Sequence, residues 1–136
     1  MQLVKAYPPN IREIEAVFDL TGKKPVFTYG KVLFNPHDCT VDQFLMAHEV
    51  THTAQQGAVG GPIEWWERYL SDKEFRLKQE VEAYYAQFSL LKSSRKDRNR
   101  IAWYLHQIAR DLSSPMYGSM CTLQEALKYI QHGYNR

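Results

Sequence analysis

His48-Glu49-Val50-Thr51-His52 is the stretch on which the reading of this chain turns. The pattern H-E-x-x-H sets two imidazoles four residues apart, so on an α-helix they stand one above the other on a single face. Nitrogens placed in this way can grip one Zn²⁺ at about 2.0–2.1 Å. Glu49 is turned about 100° from His48 by the helical repeat. It therefore flanks the ion instead of ligating it, where a carboxylate can take a proton from zinc-bound water. Val41, Phe44, Leu45, His48, His52 and Gln55 fall on one helical stripe, so both imidazoles point the same way as the apolar anchors. Burying two imidazoles without partners would cost roughly 1–3 kcal/mol each. A metal ion removes that cost.

Outward from this stretch, helical and strand signals alternate in a simple order. Thr40 is the expected N-cap of a helix over about 41–56, with Asp42 in its first turn, and Gly57, Gly60, Gly61 and Pro62 stop it. Upstream, Asn10 is the expected cap of a helix over 11–20 that buries Ile11, Ile14, Val17 and Phe18. Val26-Phe27-Thr28-Tyr29 and Lys31-Val32-Leu33-Phe34 are β-prone runs meeting at Gly30, which predicts a hairpin or a bent edge. Downstream, Trp65, Trp66, Tyr69 and Leu70 suggest a short helix packed over the metal helix. Leu77, Val81, Tyr84, Phe88 and Leu91 mark a long helix over about 73–91, and Ile101, Leu105, Ile108 and Leu112 mark another over 97–112. Ser114-Pro115 breaks the latter, and a capping box of Thr122 and Glu125 opens a last helix running to about Gln131. The expected class is α+β, mostly helical, with a small sheet or hairpin packed on the metal helix.

Composition sets the outer bounds. A chain of 136 residues suits one domain able to bury its own core. A formal net charge of +2 is too small to imply nucleic acid or an anionic membrane as partner. The five basic residues between Lys92 and Arg100 read as a solvated loop, with a phosphate or nucleic-acid contact as the weaker alternative. No apolar run approaches the roughly 20 residues of a membrane span, and the N-terminus lacks the apolar h-region of a secretory signal. A cytoplasmic location is the resulting expectation. Cys39 and Cys121 lack metal-type spacing and are expected as reduced thiols.

A catalytic zinc site normally has three protein ligands and one open position. Neither flank offers a third histidine at a known spacing, which leaves the carboxylates of Glu80 and Glu82. Measured against the stripe from Leu77 to Phe88, Glu80 sits about 60° from the buried direction and Glu82 about 140° away. Glu80 is therefore the expected ligand, and Glu82 is expected in solvent.

The stretch Leu45-Met46-Ala47-His48-Glu49-Val50-Thr51-His52-Thr53-Ala54-Gln55-Gln56 resembles the zinc helix of the gluzincin branch of zincin metallopeptidases, in its minimal single-lobe form. Val26 to Phe34 is similar to the strand pair that leads into that helix, and Glu80-Val81-Glu82-Ala83-Tyr84 to the segment carrying the family's glutamate ligand. The resemblance spans about residues 25–90. It implies one zincin-like domain over 1–136, with a metal-site core at about 25–90 and a helical extension at about 97–132. One departure is plain. The acidic or amide residue that follows the glutamate by four positions in the family, and bonds a zinc histidine, is Tyr84 here. Orientation of that histidine must come from elsewhere.

What the resemblance implies is zinc-dependent peptide-bond hydrolysis, with one Zn²⁺ on His48, His52 and Glu80, and Glu49 as general base. The expected partner is a peptide or protein substrate, laid by strand addition along an exposed edge at Lys31–Phe34. Tyr84 and Tyr85 are the candidate transition-state donors, with Tyr104, His37 and His106 as further candidates; of these His106 is expected at the surface. The alternative is a non-catalytic zincin-like zinc-binding domain that acts as a protein-interaction module. Retention of Glu49 favours the enzyme, since a purely structural site has no use for an uncoordinated carboxylate there.

Overall fold

The computed structural model describes residues 1–94 and 97–134. Its elements are β1 (Gln2–Val4), α1 (Ile11–Glu15), β2 (Phe27–Tyr29), β3 (Val32–Phe34), α2 (Gln43–Ala58), α3 (Pro62–Ser71), α4 (Lys73–Ser94), α5 (Arg98–Leu112), a 3-10 turn (Pro115–Tyr117) and α6 (Leu123–His132). This is the α+β, mostly helical class expected, with a sheet of three strands. Among the described residues no helix is long and apolar enough to cross a membrane.

The sheet runs in the order β1-β3-β2. β2 and β3 form the expected hairpin, with Tyr29 opposite Val32 and a two-residue loop, Gly30-Lys31. Gly30 takes a φ of 63° at the first loop position, where a side chain would be strained. β1 was not anticipated. It pairs in parallel with β3, Leu3 opposite Leu33. That pairing overturns the expected free edge at Lys31–Phe34, because β3 is covered on both sides. The outer edges belong to β1 and β2 instead, and on β2 the Thr28 carbonyl already accepts from Gln56 Nε2 at 2.8 Å and Trp66 Nε1 at 3.0 Å.

Helix boundaries follow their caps. Asp42, not Thr40, is the N-cap of α2: its carboxylate accepts from the Leu45 N–H at 2.8 Å. A charged acceptor at that position also meets the positive end of the helix dipole. α1 is half the expected length. Asn10 makes no capping bond, and after Glu15 the chain turns so that Phe18 is buried while Val17 is 46% exposed. The predicted buried face of that helix therefore holds for Ile14 and Phe18, holds in part for Ile11, which packs against the same cluster, and fails for Val17. The capping box of α6 is present in full, with Thr122 and Glu125 satisfying each other's backbone N–H. Of the basic run from Lys92 to Arg100, Arg95 and Lys96 lie outside the described residues, while Arg98 and Arg100 are exposed in the first turn of α5.

Two apolar clusters form the core. One joins α2, α4, α5 and α6 through Phe44, Val81, Leu91, Leu112 and Ile130. The other joins α1, β2, α3 and the start of α4 through Ile14, Phe27, Trp65, Tyr69 and Phe75. Each large side chain buried in full, such as Leu112 or Ile130, contributes about 1.5–3 kcal/mol relative to exposure. The H-E-x-x-H turn of α2 lies against both clusters: the His48 ring meets Tyr84 edge-on at 4.4 Å, and the His52 ring meets Trp65 at 5.2 Å.

Candidate metal centre

His48 and His52 rise from consecutive turns of α2, and Glu80 reaches across from α4. The Nε2 atoms of the two histidines are 3.1 Å apart. Glu80 Oε1 lies 3.1 Å from His48 Nε2, and Glu80 Oε2 lies 3.2 Å from His52 Nε2. All three side chains are buried, and together they can hold a metal ion. Glu82, two residues on, is exposed as its angle on the helix predicts.

The outer partners settle which nitrogen of each ring faces the centre. His52 Nδ1 is 2.7 Å from Gln55 Oε1. The Gln55 amide cannot be reversed, because its Nε2 donates to the Gln79 carbonyl at 2.9 Å and to Glu82 Oε1 at 3.1 Å. His52 Nδ1 therefore donates, and His52 Nε2 carries a lone pair toward the centre. On the other ring, His48 Nδ1 is 2.9 Å from Gln87 Oε1, and Gln87 Nε2 donates to the Tyr104 hydroxyl at 2.6 Å. These two glutamines supply the orientation that Tyr84 cannot. Gln87 stands seven residues after Glu80, two full turns and so on the same face, a spacing that was legible in advance.

A third partner acts on the carboxylate. The Tyr69 hydroxyl donates to Glu80 Oε2 at 2.7 Å, while Oε1 is buried with no hydrogen-bond donor. With both imidazoles donating through Nδ1, Oε1 faces a bare nitrogen at 3.1 Å. Three lone-pair-bearing atoms thus converge on one point, an arrangement that calls for a cation. In the metal-free chain a proton takes that role. Burial alone would lower the pKa of His52, but the Glu80 carboxylate beside it outweighs burial and raises it from 6.5 to about 9. Burial likewise favours the neutral acid of Glu80, yet the two imidazoles hold its carboxyl well below the usual range.

Glu49 is 6% exposed and stands outside the His48-His52-Glu80 group. The Thr28 hydroxyl of β2 donates to its carboxylate, which turns the side chain toward the sheet side of the centre. Gln56 bonds the same strand at Thr28 and accepts from the Gly30 N–H at 2.6 Å, so these three hydrogen bonds tie α2 to the hairpin. Thr28, His48, Glu49, His52, Glu80 and Gln87 open on one cavity of about 280 Å³, walled by Phe18, Phe27, Cys39, Trp66, Asp111 and Tyr117 among others.

The tyrosines divide. Tyr84 lines this cavity, and its hydroxyl lies 3.0 Å from that of Tyr117. Tyr85 does not: one position further around α4, it is 40% exposed and faces the concavity beside Lys78 and His132. Its candidacy as a donor is thereby withdrawn. Tyr104 reaches the centre only through Gln87, and His37 packs against Tyr7 at 6.1 Å, away from the cavity. His106 is exposed, as expected. Burial first, then the charge of Glu80, raise the pKa values of Tyr69, Tyr84 and Tyr117 well above the ordinary phenol range, so each is a neutral O–H donor. Cys39 and Cys121 are free thiols, each partly buried.

Fold and centre together define a mostly helical α+β protein with a buried His-His-Glu cluster able to bind a metal ion. No protein-family model, curated protein or solved structure matches the chain.

Proposed function

We propose that this protein is a zinc-dependent metallopeptidase of zincin-like type, with the ion held by His48, His52 and Glu80 and with Glu49 as general base. The observation that carries the reading is Glu49: a buried carboxylate next to the ligand set, outside it, and aimed by Thr28 into a cavity that reaches solvent. Zinc suits the donor set, since ligand atoms at about 2.0–2.1 Å in a tetrahedron are about 3.3 Å apart, close to the 3.1–3.2 Å separations here. When bound, the ion polarises the scissile carbonyl and makes water a nucleophile near neutral pH.

The residues divide the remaining work. Glu49 accepts a proton from the attacking water and delivers it to the leaving amine. Thr28 keeps that carboxylate facing the reacting atoms, through a hydrogen bond to the charged form. Gln55 and Gln87 hold both imidazoles with Nε2 free. The Tyr84 and Tyr117 hydroxyls are the donors within the cavity for a developing oxyanion, which puts Tyr117 in the place first assigned to Tyr85. The substrate is a peptide whose reacting bond enters beside β2.

The deciding experiment compares zinc-loaded wild type with Glu49→Gln. The variant should keep its zinc content and far-UV circular dichroism, and cleave a broad peptide library at least about 100-fold more slowly. A zinc-loaded wild type that cleaves nothing in such a library, or no faster than Glu49→Gln, would favour the non-catalytic metal-binding domain.

A further inference from the structure

Arg76 lies one turn before Glu80 on α4 and is 5% exposed. A guanidinium removed from water normally pairs with a carboxylate. Among the described residues none is in ion-pair contact with it. It bonds carbonyl oxygens instead. Nε donates to Tyr69 O at 2.8 Å, Nη2 to Leu70 O at 3.0 Å and Nη1 to Tyr117 O at 2.9 Å. Tyr69 and Leu70 stand in the last turn of α3, and Tyr117 ends the 3-10 turn. One cation therefore closes the carbonyl ends of two helical segments, where unpaired C=O groups and the backbone dipole are both negative. Its flat face lies over the rings of Phe18 at 4.8 Å and Tyr69 at 5.6 Å. Gly118 follows at a φ of 92°, and a Cβ there would meet Arg76 Nη1 at 3.1 Å, so the chain crosses the guanidinium as glycine.

Both tyrosines whose carbonyls Arg76 holds send their phenols into the centre. The Tyr69 hydroxyl bonds Glu80 Oε2 at 2.7 Å, and the Tyr117 hydroxyl lies 3.0 Å from that of Tyr84. We propose that Arg76 is the positioning residue of the metal centre: by capping α3 and the 3-10 turn at once, it fixes the Tyr69 phenol on the glutamate ligand and the Tyr117 phenol beside Tyr84. It touches neither ligand atoms nor substrate and acts through these two tyrosines. The inference rests on the metal reading above and is independent of whether peptides are cleaved.

Co²⁺ serves as the probe, since its visible spectrum reports ligand geometry and its dissociation constant follows from chelator competition. Arg76→Gln should raise the dissociation constant about 10- to 100-fold and shift the Co²⁺ spectrum in the same direction as Tyr69→Phe. Because Arg76 reaches the carboxylate through Tyr69, adding Arg76→Gln to Tyr69→Phe should cost less than threefold more. Should Arg76→Gln fail to fold, Arg76→Lys keeps the charge but cannot serve three carbonyls, and should still raise the constant at least threefold with the same spectral shift. The inference is overturned if the folded Arg76 variants match wild type in constant and spectrum, or if the Arg76→Gln loss is undiminished in the Tyr69→Phe background. A wild type that binds no Co²⁺ overturns it together with the metal reading, whereas silent Arg76 variants of a Co²⁺-binding wild type overturn it alone.

Discussion

Replacing Gln55 with leucine should weaken metal binding through a proton, not through a lost ligand. In wild type the Gln55 Oε1 atom, 2.7 Å from His52 Nδ1, accepts the Nδ1 proton, so the proton facing Glu80 is the one that leaves when a metal enters. Leucine fills a similar volume but accepts nothing. The buried Nδ1–H would then be left without a partner at a cost of roughly 1–3 kcal/mol. The ring avoids that cost by giving up the Nδ1 proton and keeping the one on Nε2, where the Glu80 carboxylate is 3.2 Å away. That tautomer blocks the metal-facing lone pair, and metal binding must return its proton to an Nδ1 that has no acceptor. Loss of a comparable outer partner typically weakens metal affinity about 10- to 100-fold, which is about 1.4–2.7 kcal/mol. The Gln79 carbonyl loses its amide donor as well, so the metal-free melting temperature should fall by several degrees. Chelator competition measures the affinity, and long-range ¹H–¹⁵N spectra of the histidines report the tautomer. An unchanged zinc dissociation constant, with the His52 proton on Nδ1 as before, would refute the reasoning.

Other predictions concern the carboxylates and their titration. Glu80→Ala should weaken zinc binding by more than about 100-fold, since it removes a ligand, whereas Glu82→Ala, which touches the centre only through Gln55 Nε2, should change it no more than a few-fold by the same competition assay. The metal-free protein should lose thermal stability as pH rises from about 7 through 9: the His52 pKa is raised above its unfolded value of 6.5, so its contribution is complete below that value and is lost on the way to about 9. The lowered Glu80 pKa acts in the opposite sense, with stability present above the ordinary carboxylate range and lost only in strong acid. Melting curves against pH check both limbs. Zinc loading at pH 7 should release a proton, seen by calorimetry in buffers of different ionisation enthalpy.

Local chemistry made most of the centre legible. His48 and His52 are related by one helical turn, and Glu80 by its angle to an apolar stripe on the same helix, so short-range periodicity sufficed for both. Gln87 was within reach of the same argument. The rest depended on chain segments distant in sequence. Tyr117 comes to the cavity because α5 and the 3-10 turn fold back over α4, and nothing in the stretch from Leu112 to Gly118 announces that contact. β1 is three residues with only weak alternation, and its parallel pairing with β3 is a tertiary event. Missing it led directly to the mistaken free edge at Lys31–Phe34. The Thr40 cap failed for a smaller reason: two candidates stood two residues apart, and Asp42 offered the stronger acceptor.

The choice of amides around the two histidines follows from charge. On the proposed reading, a divalent ion set against the carboxylates of Glu80 and Glu49 would leave the buried centre with no net charge, and the cation of Arg76 is partly offset by the helix ends it caps. A carboxylate in place of Gln55 or Gln87 would add a buried negative charge with no cation left to pair with it, a cost of several kcal/mol. It would also draw the Nδ1 proton away from the ring and make the imidazole a stronger donor to the metal, which blunts the ion's pull on a carbonyl oxygen. Neutral glutamines orient the rings without either effect. The tyrosine four residues after Glu80 is then a consistent substitution: with Gln87 one turn further along α4 holding His48, that position is released to place a phenol in the cavity.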